Sequence, residues 1–223
     1  MFSKEDIKNR WSEYCAEQVS EGKDVPEAGL SLASLIASSA LMSQKQRSGD
    51  DYISHPITVG MSNTKSENKR IIGVLHDVVE DSDWTLDDLR DVGFSERVVN
   101  GVDGVTKRPG ELYFDFVERC STHGIDAIDT KIEDLEHNSQ SLRYPHIDKA
   151  EKHVWKEKAY NISYYYLVAI KKGDIEAGSS VADFMQTVPA YAENKDLTEG
   201  CLQRFSSANN NTPPKRKSGN GLS

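Results

Sequence analysis

The chain has 223 residues, 37% of them hydrophobic and 28% charged, with a formal net charge of −9 at pH 7. That length supports one domain with a sizeable core and room for a small appendage. The acidic balance argues against broad nucleic-acid binding, which rests on neutralising phosphates with Lys and Arg, but it admits a small phosphorylated ligand met by local positive charge or a metal.

The segment from Ser3 to about Lys23 reads as an amphipathic helix, because Ile7, Trp11, Tyr14, Cys15 and Val19 recur at three- and four-residue steps. Ser3 with Asp6 three residues later can cap it. A second helix is expected after Pro26, through Leu30, Leu32, Leu35, Ile36 and Leu41 to about Gln46, broken by the turn formers from Arg47 to Asp51. Pro56 suits a first helical position. Another helix follows Ser66 and carries Ile71, Ile72, Val74, Leu75, Val78 and Val79. Thr85 with Asp88 caps a short helix, and Val98, Val99 and Val102 mark one that ends near Gly104. Leu112 to Cys120, Ala127 to Asn138 and Asp148 to Ile170 complete the helical set. Alternating strand patterns bounded by hairpin turns are not visible, so the expected class is all-α.

Apolar density falls from about Lys172, and residues 173–205 are expected to form a helical appendage to a domain spanning 1–172. Residues 206–223 contain Asn209 to Asn211, Pro213-Pro214 and the basic triplet Lys215 to Lys217, and should be a disordered tail. The charged start, Met1 to Asp6, lacks a signal-peptide core, and no run of about 18 apolar residues predicts a membrane span. A cytoplasmic protein with no membrane partner is the expectation. Cys15, Cys120 and Cys201 are odd in number and far apart, which suggests buried or partly buried thiols and no disulfide framework.

Four segments carry chemistry: Tyr52 to Pro56, Leu75 to Asp81, Val102 to Lys107 and Lys131 to Asn138. His76-Asp77 sits among Val74, Leu75, Val78 and Val79, so the pair is expected to be buried. Burying polar groups without partners costs about 1–3 kcal/mol each. A divalent metal resolves that cost, since neutral imidazole and carboxylate are common ligands. A salt-bridged or hydrogen-bonded pair is the alternative reading. His55 and Asp134 can supply further ligands from separate helices, giving a mixed N/O set suited to Mn²⁺, Fe²⁺ or Zn²⁺. Glu80 follows His76 by four residues and Asp81 follows Asp77 by four, so on one helix both carboxylates share the face beside the metal. There they could orient or deprotonate water, or protonate a leaving oxygen. Negative charge at a helix C-terminus is otherwise unfavourable, which weakens the alternative of merely solvated acids.

These four segments, in this order, resemble the hydrolase domain of the RelA/SpoT alarmone enzymes. Gln44 to Pro56 resembles the opening motif, His76 to Ser82 the HD motif, Val102 to Lys107 the next signature and Lys131 to Asn138 the last. The likeness covers roughly residues 30 to 170. It implies an HD-type helical bundle in a small stand-alone form, with metal ligands at His55, His76, Asp77 and Asp134, typically for Mn²⁺. It implies a catalytic acidic pair at Glu80 and Asp81. Substrate contacts would fall on Asn138 near the metal, on Ser141 near the nucleoside, and on Gln46, Arg47 and Ser48 in the base-contacting loop. Lys107, Arg108 or Arg47 would screen phosphate charge.

The implied reaction removes pyrophosphate from the 3′ position of guanosine tetra- or pentaphosphate. Some positions depart from the pattern: Leu41 stands where many members have histidine, Gln46 replaces an arginine, Asp51 replaces a proline, and Glu133 and Glu136 replace small or basic residues. The altered loop keeps two alternatives open: another nucleotide substrate, such as the 2′-phosphate of NADPH, or a nucleotide-binding module without catalysis. His137, three residues from Asp134, is a candidate neighbour of the metal ligands. His123, His146 and His153 read as exposed, and Tyr160, Tyr164, Tyr165 and Tyr166 as packing residues.

Overall fold

The computed structural model describes residues 2–46, 49–62, 66–140 and 151–207, the side chains of 151–153 excepted. Its helices, in order, are α1 (Lys4–Ser20), α2 (Leu30–Ala40), α3 (Ser54–Ser62), α4 (Glu67–Leu75), α5 (Val78–Asp81), α6 (Leu86–Asp91), α7 (Glu96–Val105), α8 (Tyr113–Ser121), α9 (Ile125–Ser139), α10 (Glu151–Lys172), α11 (Val181–Thr187), α12 (Pro189–Ala192) and α13 (Lys195–Phe205). Among the described residues there is no strand, only a bridge between Lys45 and Asp51. The fold is all-α, as the periodicity predicts.

Local chemistry places the helix starts. Ser3 accepts from the Asp6 amide while Asp6 reaches back to the Ser3 amide, and Thr85 with Asp88 repeats that box at α6. Ser66 and Ser95 cap α4 and α7 in the simpler one-way form. Three expected boundaries move. The second helix ends at Ala40 and not near Gln46, because Leu41 leaves helical geometry to enter the core, where it is fully buried. The third begins at Ser54, two residues before Pro56, so the proline occupies its first turn. The helix expected to run through the HD motif breaks at His76-Asp77 into α4 and α5. The turn nevertheless keeps a helical bond, since the Asp81 amide donates to the Asp77 carbonyl at 2.9 Å.

One core runs through the molecule, from Ile36, Ile72, Val74 and Leu75 to Phe114, Val117, Leu135 and Tyr166. Helix α4 is its centre and packs on α2, α3, α7 and α9. The α3–α4 crossing is unusually close. A Cβ added to Gly73 would lie 2.7 Å from Gly60 Cα, and one added to Gly60 would lie 2.8 Å from the Arg70 carbonyl oxygen. Backbone therefore meets backbone, and the ends bearing His55 and His76 are drawn together.

Helices α11–α13 close over α8 and α10. Ser206, placed by sequence in the disordered tail, is buried, and the Ser207 amide donates to Asp115 on α8. The rest of the expected tail, 208–223, lies outside the described residues, as does the start of the helix expected from Asp148. Of the tyrosines, Tyr166 is fully buried and Tyr165 is exposed. His123 is not exposed as expected: it sits against Asp103 at 3.3 Å and the Arg119 carbonyl oxygen at 2.9 Å. His146 and the side chain of His153 lie outside the described residues.

Gly73→Ala gains helix propensity but drives a methyl into backbone, so it should cost about 2–3 kcal/mol net. Thermal unfolding of the purified variant should show a drop of about 5–10 °C; an unchanged midpoint would refute the close crossing. The Asp88 carboxylate faces Lys8 at 2.9 Å and Lys4 at 3.0 Å and closes the Thr85 box. Burial opposes its charge, but those two lysines and Thr85 outweigh burial and hold the carboxyl well below its ordinary value. Its stabilising contribution is therefore complete above about pH 4 and lost as pH falls through the lower folded value. Asp88→Asn should cost about 1 kcal/mol near neutrality. The stability gap to the parent should shrink below pH 4 in urea titrations, and a gap constant from pH 7 to pH 2 would contradict the assignment.

Candidate metal centre and cleft

His55 lies in the first turn of α3, His76 directly after α4, Asp77 directly before α5 and Asp134 in the middle of α9. The α3–α4 crossing brings the two imidazoles together, with Nε2 atoms 3.1 Å apart. Asp134 Oδ1 lies 3.0 Å from His55 Nε2 and 3.5 Å from His76 Nε2. Asp77 Oδ2 lies 3.0 Å from His76 Nε2 and 3.6 Å from His55 Nε2. Donors arranged around one ion at roughly 2.1 Å would be separated by about 3.0–3.4 Å. His55, His76 and Asp77 by themselves form a compact group whose donor atoms all lie within 4.8 Å of one another.

The surroundings fix these side chains. His76 Nδ1 donates to the Gly73 carbonyl oxygen at 2.7 Å, which leaves the Nε2 lone pair for the cluster. His55 Nδ1 lies 2.7 Å from His137 Nδ1, and the two rings stack with centroids 4.9 Å apart. His137 thus touches a proposed ligand, as its spacing from Asp134 suggests. Tyr52 donates to Asp77 Oδ2 at 2.6 Å. Asn138 donates to Asp134 Oδ1 at 2.6 Å, and Lys131 donates to Asp134 Oδ2 at 2.8 Å.

The electrostatics favour a cation here. Burial works against charge on His76, yet Asp77 and Asp134 overcome it and raise the imidazole to about 10. Asp134 is held well below the usual carboxylate range: burial opposes this, while Lys131, His55 and His76 outweigh burial. A field that draws a proton onto a buried imidazole also suits a divalent ion held by the same four donors. The donor set, two nitrogens and two oxygens, fits Mn²⁺, Fe²⁺ or Zn²⁺.

His76 is buried, while His55, Asp77 and Asp134 line a cleft of about 950 Å³. Glu80 and Asp81 line it beside Asp77. Glu80 is anchored, its Oε2 accepting from the Lys107 amide at 3.0 Å. Partial burial, then the charges of Asp77 and Glu80, push the Asp81 carboxyl up to about 6. The Lys107 amide is itself held in place by Arg119, which donates to the Thr106 carbonyl oxygen and grips Glu111, while Glu111 accepts from the Arg108 amide. Gln46, Lys107 and Asn138 all line the cleft; Arg47, Ser48 and Ser141 lie outside the described residues.

Among the described residues, five cations face this space: Lys45, Lys107, Lys131, Lys156 and Arg204. Local positive charge inside an acidic protein is therefore present, as a phosphorylated ligand requires. Lys131 lies within the last motif segment but has no role implied there, and Trp155, Lys156 and Arg204 fall outside all four motif segments. Lys131 carried a usable signal, a lysine one helical turn before Asp134 on the same face. Arg204 carried none, because only the tertiary docking of α13 brings it to the cleft.

No family model matches the chain. Part of it is similar to the GTP pyrophosphokinase of Streptomyces coelicolor, 32% identical over 120 residues, covering 49% of this chain and 14% of that protein. It is also similar to a probable guanosine-3′,5′-bis(diphosphate) 3′-pyrophosphohydrolase of Synechocystis, 32% identical over 108 residues, 44% of this chain and 14% of the relative. The guanosine-3′,5′-bis(diphosphate) 3′-pyrophosphohydrolase of Aquifex aeolicus is 39% identical over 67 residues, 29% of this chain and 10% of the relative. The chain thus spans only a small part of each of these proteins, and these partial similarities relate it to the RelA/SpoT group.

Proposed function

We propose that this chain is a metal-dependent HD-type phosphohydrolase that removes pyrophosphate from the 3′ position of guanosine tetra- or pentaphosphate. The observation that supports this reading is the compact group of His55, His76 and Asp77, with Asp134 Oδ1 3.0 Å from His55 Nε2, beside a cation-lined cleft. The names of the partial relatives from Synechocystis and Aquifex aeolicus support the substrate class.

The four donors would hold one divalent ion, Mn²⁺ by resemblance. When bound, such an ion supplies Lewis acidity towards water and phosphoryl oxygen. The chain's own groups do the rest. Glu80, held by the Lys107 amide, and Asp81 orient a water molecule and take its proton. The water oxygen bonds to the phosphorus next to the ribose 3′ oxygen, the bond between that phosphorus and the 3′ oxygen breaks, and the 3′ oxygen ends protonated. Pyrophosphate and a 5′-phosphorylated guanosine leave. Lys107 and Lys131 balance the charge of the phosphoryl groups, and Asn138 steadies Asp134 between ion and substrate. Among the described residues no helix is long and apolar enough to cross a membrane.

The test joins metal content to turnover on one preparation of the full chain. The parent should bind about one Mn²⁺ and release pyrophosphate from guanosine tetraphosphate. Asp77→Ala should lose both metal and turnover. Glu80→Gln should keep its metal and lose turnover by about 10²–10⁴-fold, the range for removing a positioned general base. Folded protein that releases no pyrophosphate across Mn²⁺, Fe²⁺ and Zn²⁺ refutes the reading.

A further inference from the structure

The cleft has a second wall that the four motif segments do not build. Trp155 and Lys156 come from the start of α10, and Arg204 and Phe205 from the end of α13; all four line the same cavity as the histidine–aspartate cluster. The Arg204 guanidinium lies 4.3 Å from the centroid of the Trp155 indole, a cation–π stack. Gly200 makes that approach possible: a Cβ there would fall 2.8 Å from Cζ3 of the indole. Arg204 Nη1 also donates to the Gly200 carbonyl oxygen at 3.1 Å, which sets the plane of the guanidinium.

The helix bearing this pair is firmly docked. Phe205 packs on Phe114 with ring centroids 5.7 Å apart, and beyond it Ser206 is buried and the Ser207 amide is tied to Asp115. Arg204 itself is exposed, so it can meet an anion without a large desolvation cost.

We infer that Arg204, oriented by Trp155 and joined by Lys156, is a specificity-determining subsite for the phosphate groups at the 5′ end of the nucleotide. This rests on the hydrolase reading above. A nucleoside phosphorylated at both its 3′ and 5′ positions has two anionic ends. If one lies over the cluster between α3, α4 and α9, the other needs cations elsewhere in the cleft. Helices α10 and α13 supply them. A planar guanidinium held by stacking suits the paired oxygens of a diphosphate.

Two measurements on the full, Mn²⁺-loaded chain test this. The first is binding of guanosine 5′-diphosphate, followed by calorimetry and requiring no turnover. Arg204→Met keeps the alkyl stem and should weaken that binding by on the order of tenfold, the loss of one charge-assisted contact. Arg204→Lys should recover part of it, and Gly200→Ala, which displaces the indole, should weaken it in the same direction. The second is turnover. For guanosine tetraphosphate, Arg204→Met should raise KM about tenfold and leave kcat within about twofold. For guanosine bearing a 3′-diphosphate and a free 5′ hydroxyl, the same variant should not change KM.

Unchanged diphosphate binding in Arg204→Met overturns the subsite while parental turnover leaves the hydrolase reading intact. Equal weakening for both substrates also overturns it, since the contact would then be to base or ribose. Loss of diphosphate binding in Arg204→Met, with no pyrophosphate released by the parent, supports the subsite and sinks the hydrolase reading.

Discussion

Contact between the backbones of α3 and α4 at Gly60 and Gly73 sets the spacing on which the centre depends. Two imidazoles reach one point only if the helices that carry them cross without side chains between them. Each glycine costs a helix interior up to about 1 kcal/mol relative to alanine. That cost is offset by the burial of Ile71, Ile72, Val74 and Leu75 around the crossing. Aspartates 77 and 134 complete the group because the chain turns directly after α4 and because α9 packs against both α3 and α4. The result is a buried concentration of negative charge and lone pairs that a globular core does not otherwise favour.

The surrounding charges then become intelligible. The chain is acidic as a whole, yet among its described residues four lysines and one arginine are gathered at the cleft. Lys131 links the two regions: it is buried, hydrogen-bonded to Asp134, and 4.9 Å from the centroid of Phe116. Its ammonium offsets part of the charge of the centre and still borders the cavity. Arg119 works at one remove. By holding Glu111 and the Thr106 carbonyl oxygen it shapes the loop whose Lys107 amide anchors Glu80.

Much of this was legible in the chain itself. Hydrophobic spacing gives the helices, and Ser3–Asp6 and Thr85–Asp88 mark two starts by chemistry that acts within four residues. Adjacent His76 and Asp77 among valines and leucines betray a buried polar group needing a partner, and His55 and Asp134 are the partners the geometry brings. The break at His76-Asp77 was not legible, because the apolar pattern runs through it without interruption. The end of α2 was missed because Leu41 continues the helical spacing while its side chain turns into the core. Gly60 and Gly73 give no local signal, since their role exists only when two helices meet. The wall formed by Trp155 and Arg204 is invisible for the same reason, with almost fifty residues and two helices, α11 and α12, between its halves.

The attachment of α1 carries a consequence for motion. Ile7 is its one fully buried residue, and Lys4 and Lys8 fasten the helix to the Asp83 carbonyl oxygen, Asp88 and Asp91. A segment held by so little burial is a natural unit of local opening. The residues it grips begin two positions after Asp81, at the exit of the turn that bears the acidic pair. When α1 detaches in a brief fluctuation, that exit loses its tether. Amide protons of α1 and of the stretch from Asp83 to Asp91 should therefore exchange with solvent together, ahead of those in α4, and the slow breathing of the first helix would be felt at the turn that carries Glu80 and Asp81.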